Sequence, residues 1–219
     1  MPAFTPSLSD LPDEIPVFPL TGALLLPQGR LPLNIFEPRY LAMVEDALGA
    51  GRVIGMIQPD GSGHRGPNGP SLYRVGCLGR ISSFSETEDG RYLVTLTGVL
   101  RFSLAGELEM RRGYRRVRAE YAAYAADLET DPATPLDRPA LLGALRPYFK
   151  ARQIDANWEG IEHTADATLV TTLCMVCPFD PREKQALLEA PAPAERASML
   201  VALLQMDAHG GADPESRPS

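Results

Sequence analysis

Short apolar runs separated by proline and glycine dominate the first half of the chain. Ile15–Leu20, Ala23–Leu26 and Leu31–Phe36 consist mainly of aliphatic or aromatic residues, and Pro27-Gln28-Gly29 separates the last two. Apolar runs of roughly four to eight residues that are bounded by proline and glycine are typical of strands. The pattern therefore predicts three short strands near the start of the chain.

Two longer runs, Leu72–Thr87 and Arg91–Glu107, are joined by a turn that contains Asp89-Gly90. An Asp-Gly pair between two such runs is a strong hairpin signal. Glycines inside strands favour bulges or bends of the kind that a curled sheet requires. These glycines are Gly76, Gly79, Gly98 and Gly106. The two long runs, their glycines and a further alternating segment at Tyr114–Tyr124 together predict a β-rich, barrel-like region.

Helical periodicity interrupts the strands once and then dominates the second half of the chain. Pro38 suits the first turn of a helix, Gly49 suits a helix end, and the apolar residues between them recur at helical spacing. In the second half, Leu141, Leu142, Leu145, Tyr148 and Phe149 form one apolar stripe, and Leu169, Leu173 and Val176 form another. Both stripes predict amphipathic helices.

Asp180-Pro181-Arg182-Glu183 combines an N-cap aspartate, a proline at the first helical position and a glutamate at the third. A final amphipathic helix is predicted from Ala194 to Met206. Strands followed by helices indicate an α+β fold. We expect a β-rich, barrel-like lobe with one helix at 11–125, a C-terminal helical bundle at 126–208, and flexible termini at 1–10 and 209–219.

The composition is that of a globular protein, with 44% hydrophobic and 22% charged residues. The 21 Lys and Arg residues against 28 Asp and Glu residues give a net charge of −7, which argues against a basic nucleic-acid surface. The first ten residues contain no Lys or Arg and no long apolar segment. We therefore expect a cytoplasmic protein without a signal peptide or a membrane partner.

One basic cluster stands out against this acidic background. It comprises Arg111, Arg112, Arg115, Arg116 and Arg118. In a strand, alternate residues point to opposite faces, so the positive charge is divided between two faces. We interpret the cluster as a solvated sheet edge that charge protects against strand addition, with nucleic-acid contact as the alternative.

The glycine-rich segment Gly61–Gly66 matches the spacing of a dinucleotide-binding fingerprint. That fingerprint needs a helix directly afterwards, and Pro67, Gly69 and Pro70 oppose one. A hairpin loop is the favoured interpretation. No P-loop motif is present, since neither lysine of the chain follows a glycine. We therefore expect no cofactor.

Cys174 and Cys177 have the spacing of a redox pair or half of a zinc site. The only other cysteine is Cys77, and no second close pair of ligands accompanies them. Cysteines on an apolar helix more often behave as small hydrophobic residues, so core packing is favoured over metal or redox chemistry.

Hydrolytic chemistry has little support in the sequence. A Ser/Lys dyad would need Lys150 or Lys184. Lys150 ends a predicted helix, where a cation is favoured, and Lys184 is expected in an exposed first turn, where its amine would not be desolvated. A hydrolase that uses His163 or Cys77 would need a nucleophile–base pair, and no sequence feature favours one. We expect no catalytic residues.

Several ordered segments resemble the Lon protease N-terminal domain family, in particular its small stand-alone bacterial members. Ile15–Leu20, Leu24–Pro27 and Leu31–Tyr40 resemble the opening of these domains. Similar motifs follow in the family's order at Val75–Ile81, Leu96–Phe102 and Glu183–Glu189. The resemblance covers roughly residues 11 to 206 and implies a β-rich lobe followed by a helical bundle, as the periodicity does.

In full-length Lon proteases, this domain recognises polypeptide substrates and helps to assemble the hexamer, while ATPase and Ser/Lys protease modules follow it. The resemblance therefore implies a non-catalytic polypeptide-binding module, acting as an adaptor or regulator of ATP-dependent proteolysis. Its expected partners are polypeptide clients or a separate protease. The length of 219 residues leads us to expect no ATPase or protease module and no hydrolytic activity.

The candidate polypeptide-binding residues are Phe36, Glu37, Arg39 and Tyr40, because a helix start beside aromatic residues and an arginine offers mixed apolar and polar contacts. The alternative is that Phe36 and Tyr40 belong to the core while Glu37 and Arg39 bridge locally. A second function stays open, namely a small-molecule or regulatory sensor with a ligand pocket between the two lobes.

Overall fold

The computed structural model describes residues 6–129 and 136–210, and the predicted α+β fold is confirmed. Its strands are β1 Glu14–Pro19, β2 Arg30–Ile35, β3 Val53–Ile57, β4 Arg65–Gly66, β5 Gly69–Pro70, β6 Val75–Glu86, β7 Tyr92–Arg111 and β8 Tyr114–Glu120. Its α-helices are α1 Pro38–Gly49, α2 Arg138–Arg152, α3 Trp158–His163, α4 Asp166–Val176, α5 Pro181–Glu189 and α6 Pro193–Gly210. Short 3₁₀ helices occupy Leu8–Asp10 and Ala122–Leu128.

Six strands form one large sheet in the order β2-β7-β6-β3-β1-β8, and β8 also pairs with β7. The pairings therefore form a ring that runs from β7 through β6, β3, β1 and β8 back to β7. The 20 residues of β7 make this possible, because its first part pairs with β2 and its last part pairs with β8. β1 and β3 are parallel, and the other neighbouring pairs are antiparallel.

The predicted hairpin is confirmed, and register shifts occur at Gly79, Gly98 and Gly106 but not at the fourth predicted glycine, Gly76. β6 and β7 pair on either side of the Asp89-Gly90 turn. The register shifts between Leu78 and Gly79 in β6 and between Leu104 and Gly106 in β7. A Cβ atom on Gly98 would lie 2.0 Å from the carbonyl oxygen of Leu26, so glycine is required there by close backbone approach.

One apolar cluster fills the inside of the strand ring. It comprises Leu11, Ile15, Val17, Val53, Ile57, Leu78, Leu100, Phe102, Val117, Ala119 and Tyr121. The Phe102 ring packs directly against Gly76 of β6, since a Cβ atom on Gly76 would lie 2.4 Å from the ring. A glycine on the neighbouring strand therefore gives the Phe102 ring its space.

A second cluster extends from the outer face of the sheet region through α1 to the C-terminal helices. It includes Met43 and Leu96 on the sheet side and Tyr148, Leu187 and Leu200 on the helix side. Helices α2 and α6 pack against each other, and α4 and α5 pack against α6. None of the described helices is both long enough and apolar enough to span a membrane.

Two local predictions are wrong. Ala23–Leu26 is not a strand, although Leu24, Leu25 and Leu26 are buried. Gly29 donates its backbone N–H to the Leu26 carbonyl oxygen, so this segment ends in a tight turn rather than in a sheet ladder. Val176 does not belong to the buried stripe of α4, since 65% of it is exposed. The buried stripe is Leu169, Val170, Leu173 and Cys174.

The predicted boundaries differ from the structure in other places. β8 ends at Glu120, and a 3₁₀ helix follows where Tyr114–Tyr124 was expected to continue as strand. The short helix α3 has no counterpart in the prediction. α6 extends to Gly210 rather than ending at Met206. The predicted flexible termini fall partly on 1–5 and 211–219, which, like 130–135, lie outside the described residues.

Candidate functional site

The predicted binding segment lies between β2 and α1. Glu37 is the N-cap residue of α1, and its side chain does not cap the helix. Instead its carboxylate accepts hydrogen bonds from Arg39, with an Nη2–Oε2 distance of 2.8 Å. The Arg39 guanidinium lies 4.5 Å from the centre of the Tyr40 ring. The structure thus brings Glu37, Arg39 and Tyr40 together in one local chain of contacts.

The two aromatic residues of this segment have opposite environments. Tyr40 is 6% exposed and packs on Phe18 with a ring distance of 4.2 Å. Burial raises the pKa of the Tyr40 hydroxyl. Phe36 is 61% exposed, and the Arg91 guanidinium is 5.9 Å from its ring centre. Of the four predicted residues, only Tyr40 belongs to the core.

Two further exposed apolar residues lie at the same end of the sheet as Phe36. They are Phe84 and Leu93, which are 41% and 47% exposed. The register pairs Ile35 with Tyr92 and Ser85 with Leu93, which places all of these residues around the β6–β7 turn. The sequence reasoning missed Phe84 and Leu93, although an apolar residue at an outward strand position was a signal that could have found them.

β2 offers a different kind of surface. Among the described strands it pairs only with β7, so its other edge has free backbone groups. Pro32, in the middle of β2, has no N–H to donate, which suits a position in an edge strand. An extended peptide can add to such an edge by main-chain hydrogen bonds.

Two adjoining cavities lie between the sheet region and the helices. The smaller encloses about 310 Å³ and reaches Gly29, Arg30, Met175 and Val176. The larger encloses about 460 Å³ and extends to Asp127, the start of α6 and Arg196. We call it the Arg196 cavity. Both cavities are lined by Gln28, Ala167, Thr168 and Thr171. Together they form a groove between the loop before β2 and helix α4.

Arg101 closes one side of the Arg196 cavity with a buried ion pair. Its Nη2 lies 2.8 Å from Asp127 Oδ1, and its Nε lies 2.8 Å from Asp127 Oδ2. Its Nη1 also donates to the Ala190 carbonyl oxygen at 2.7 Å. The two side chains are 6% and 10% exposed. Arg101 therefore joins β7, the 3₁₀ helix after β8 and the end of α5, and its donors are fully used by these partners.

Arg196, in the first turn of α6, is 7% exposed and lines the same cavity. Its Nε donates to the Leu187 carbonyl oxygen at 2.8 Å. Its Nη2 is buried and has no hydrogen-bond partner within the described part of the chain. Burial lowers the pKa of Arg196, and the nearby Arg101 lowers it further. A buried guanidinium with an unused donor is costly unless another group supplies the acceptor.

The expectation that Lys184 is exposed is wrong. Lys184 is 8% exposed, and its Nζ donates to the carbonyl oxygens of Gly22 and Met175 at 2.9 and 3.3 Å. Burial lowers the pKa of its amine. Its neighbour Gln185 bonds to Gln58 at 3.2 Å. Lys184 and Gln185 therefore lie on the side of α5 that is packed in the protein interior and is not open to solvent. Lys150, by contrast, is exposed in the last turn of α2, as expected.

The arginine cluster does not form a sheet edge, because β8 pairs with β1 on one side and β7 on the other. Its members are paired with carboxylates. Arg111 and Arg112 contact Asp46, Arg112 also contacts Glu45, Arg115 contacts Glu107, and Arg116 and Arg118 contact Glu14. Arg115 is also 5% exposed, so it is a core residue. The charge of this cluster is largely neutralised within the protein.

The glycine-rich segment and the cysteines take the places that the sequence favoured. Arg65–Gly66 pairs with Gly69–Pro70 as a small hairpin. All three cysteines are buried with free thiols. Burial raises the pKa of the Cys174 and Cys177 thiols to about 12 each. No group of three or more His, Cys, Asp or Glu side chains within the described ranges is arranged to hold a metal ion.

The two residues considered for a hydrolase are held in local structure. His163 Nδ1 lies 2.8 Å from the Glu159 carbonyl oxygen on its own helix. Cys77 is fully buried, and its Sγ contacts the Leu78 carbonyl oxygen at 3.7 Å. Neither contact pairs a nucleophile with a base.

Comparison with known proteins identifies the family to which this chain belongs. The model of the ATP-dependent protease La (LON) substrate-binding domain matches residues 14–206. A crystal structure of a Lon N-terminal domain protein from Xanthomonas campestris superposes with a TM-score of 0.58. It covers 86% of this chain and 97% of that one at 24% identity, and so shows a shared fold.

Curated relatives agree with this match. A Lon protease of Anaeromyxobacter dehalogenans is 28% identical over 51% of this chain and 13% of its own length. Lon protease 1 of Bdellovibrio bacteriovorus is 26% identical over 87% of this chain and 24% of its own length. The chain thus spans no more than about a quarter of either relative. Since the family model covers most of the sequence, including every strand of the large sheet, the chain belongs to the LON substrate-binding domain family.

Proposed function

We propose that the protein is a non-catalytic polypeptide-binding module that acts as an adaptor or regulator of ATP-dependent proteolysis. The match of residues 14–206 to the Lon substrate-binding domain carries this proposal. The groove between Gln28–Arg30 and helix α4 and the free edge of β2 support it, because each can accept an extended chain. Polypeptide clients and a separate protease are the proposed partners.

Capture of a permanently unfolded protein tests this function. We expect fluorescein-labelled, reduced and carboxymethylated α-lactalbumin to show increased anisotropy when the protein is titrated into it. The native, disulfide-bonded form of the same client is the control and should not bind. Equal anisotropy changes for both forms, or none for either, would contradict polypeptide binding.

We propose that Phe36, Glu37, Arg39 and Tyr40 contribute to client binding. Phe36 carries most of this proposal because its ring is largely exposed. Phe36→Ala should weaken client capture severalfold without lowering the melting temperature. Met206→Ala, at another exposed apolar residue, is the control and should leave both client capture and the melting temperature unchanged. If Glu37→Ala and Arg39→Ala reduce thermal stability but leave capture unchanged, the segment has only a local structural role.

We infer that the protein has no hydrolytic activity of its own. The matched domain is the substrate-binding part of Lon, and the buried Lys184 and Cys77 are held by structural contacts. Incubation with casein and ATP should leave casein intact. ATP-dependent cleavage by the pure protein would overturn this inference.

We further infer two lobes, a barrel-like one at 11–125 and a helical bundle at 126–208. The ring of strand pairings and the packing of α2, α4 and α5 on α6 support this division. We also propose that the protein works in the cytoplasm without a nucleic-acid or membrane partner. Its net charge of −7 and the ion-paired arginine cluster support the absence of nucleic-acid binding.

The second candidate function is that of a small-molecule or regulatory sensor. The Arg196 cavity favours it, because about 460 Å³ is within the range of small-ligand pockets. A small ligand that raises the melting temperature while leaving client capture unchanged would favour the sensor.

A further inference from the structure

We propose that the Arg196 cavity binds a carboxylate group, carried by the C-terminus of a bound polypeptide, by an acidic side chain or by a small organic acid. The first two sources rest on the proposed polypeptide-binding function, and the third does not. Four properties of the cavity support this assignment: an unpartnered guanidinium, two helix starts, the state of the nearby carboxylates, and its size and lining.

The unpartnered guanidinium is that of Arg196. Only Nε of this side chain has a protein acceptor, the Leu187 carbonyl oxygen, while Nη2 is buried without one among the described residues. Guanidinium groups bind carboxylates through paired N–H donors, and this geometry is stronger and more specific than a single neutral hydrogen bond. Because Nη2 is closed off from solvent, a carboxylate in the cavity would contact the part of Arg196 that lines the cavity and would supply the missing negative charge.

Two helices begin at the same cavity. Ala165, the N-cap residue of α4, has no side chain that can cap, and Ala167 and Thr168 in the first turn line the cavity. Pro193, where α6 begins, lines it from the other side. Free N–H groups and the positive end of the helix dipole favour an anion at a helix start. Both helix starts therefore add to the attraction of Arg196.

The carboxylates near the cavity that the structure describes are already engaged or lie in solvent. Asp127 forms the bidentate pair with Arg101. Asp166 in the first turn of α4 contacts Arg138 instead of capping its helix. Glu129 lines the cavity but is exposed, so water screens its charge. Within the described ranges, the buried Arg196 guanidinium forms no ion pair with any of these carboxylates.

The size and lining of the cavity favour a single carboxylate on a small apolar body. Pro27, Val170 and Pro191 provide apolar surface, and the Thr168 and Thr171 side chains provide hydroxyl groups. A volume of about 460 Å³ accommodates one or two residues of a peptide. One guanidinium, in a cavity that the exposed Glu129 also lines, is a poor match for a multiply charged phosphate.

Matched peptides test the proposal. Three N-acetylated, unlabelled nonapeptides of Ala, Ser and Leu would be compared by isothermal titration calorimetry: one with a free C-terminal carboxylate, one amidated, and one amidated with a single internal Glu. N-acetyl-leucine serves as the small acid. We expect at least one carboxylate-bearing peptide to bind about tenfold more tightly than the neutral amide, as befits one charge-assisted contact.

The outcomes separate the two proposals. Tighter binding of the free C-terminus or of the Glu peptide supports the carboxylate site and identifies its source. Equal binding of all three peptides overturns the carboxylate site and leaves polypeptide binding intact. If no peptide binds and N-acetyl-leucine raises the melting temperature, the carboxylate site stands and the polypeptide function fails. If nothing binds, both fail.

Variants locate the site in the cavity. Arg196→Gln should abolish the preference for the carboxylate, while Arg182→Gln, which removes an exposed arginine from α5, should retain it. Because Arg196 also bonds to Leu187, a second variant keeps it in place. Ala167→Glu adds a repelling charge at a helix start, where the helix itself tolerates it, and should weaken carboxylate binding about tenfold. Ala202→Glu on the exposed side of α6 is its control, and equal effects of the two would overturn the proposal.

Discussion

Lys184 Nζ donates a hydrogen bond of 2.9 Å to the carbonyl oxygen of Gly22, in the turn that follows β1. The Gly22 backbone N–H donates in turn to Gln58 Oε1 at 2.8 Å, and Gln58 Nε2 donates to the Pro181 carbonyl oxygen at 3.0 Å. These bonds tie the start of α5 to the sheet region through three segments that are distant in the chain. A buried ammonium thus has a structural role between strands and helices.

Lys184→Met should lower the free energy of unfolding by about 2 kcal/mol, because it leaves two buried carbonyl oxygens without their charged donor. Lys150→Met is the control, since Lys150 is the chain's other lysine and is exposed at a helix end. We expect a loss below about 1 kcal/mol there. Urea denaturation of the three proteins measures both values, and equal losses would contradict a structural role for Lys184.

Asp46 gives the fold a defined sensitivity to acid. Burial would raise the pKa of its carboxyl, but hydrogen bonds from Tyr114 and Arg112 outweigh burial and hold the pKa below its ordinary value of 3.8. The stabilisation is therefore complete above pH 3.8 and is lost as the pH falls through the lowered pKa.

Asp46→Asn should therefore cost about 1 kcal/mol at neutral pH and progressively less as the pH falls below 3.8. Urea denaturation at a series of pH values from neutral downward measures this trend. Asp155→Asn, at an exposed aspartate, is the control and should change stability little at any pH. A cost for Asp46→Asn that does not depend on pH would contradict the role of its charge.

Gly98 and Gly106 lie in the same strand but should respond differently to a methyl group. A Cβ atom on Gly98 would lie 2.0 Å from the Leu26 carbonyl oxygen, whereas one on Gly106 would have no neighbour within 4 Å. We expect Gly98→Ala to destabilise the protein by about 3 kcal/mol or more. Gly106→Ala should be neutral, or stabilising by up to about 1 kcal/mol. Thermal unfolding of the two variants compares them directly.

The three buried thiols should be nearly inert in the native protein. Burial raises the pKa of the Cys174 and Cys177 thiols to about 12, and the thiolate is the reactive form. At pH 8 we expect a disulfide reagent such as DTNB to react at least about a hundredfold more slowly than in denaturant. Ala202→Cys, at an exposed site, provides the reactive control. Rapid reaction of the native cysteine pair would instead indicate a redox site.

The features that the sequence predicted best are those that local chemistry determines. The capping box at Asp180 forms both of its reciprocal bonds, and the Asp89-Gly90 turn joins β6 to β7. Each depends on residues that are close in the chain. Their identities alone are enough to select the backbone conformation.

The failures depend on contacts between distant segments. Lys184 has the sequence context of an exposed first turn, and only the docking of α5 on Gly22 buries it. The Arg196 cavity combines residues of β7, α4 and α6, so no local pattern indicates it. The candidate segment was only partly predictable for the same reason. Periodicity cannot distinguish Tyr40, which packs on Phe18, from Phe36, which extends beyond the end of β2.

The two-sided pairing of β8 also has a consequence for the way the protein is made. β1 pairs with β8 through contacts such as Ile15 with Val117, about a hundred residues later in the chain. During synthesis β1 can therefore pair with β3 but not with β8 until β8, the last strand of the sheet, has left the ribosome. Pairings this distant are slow to form and leave strand edges exposed in the meantime. We therefore expect the sheet of the nascent chain to be completed only after β8 has been synthesised.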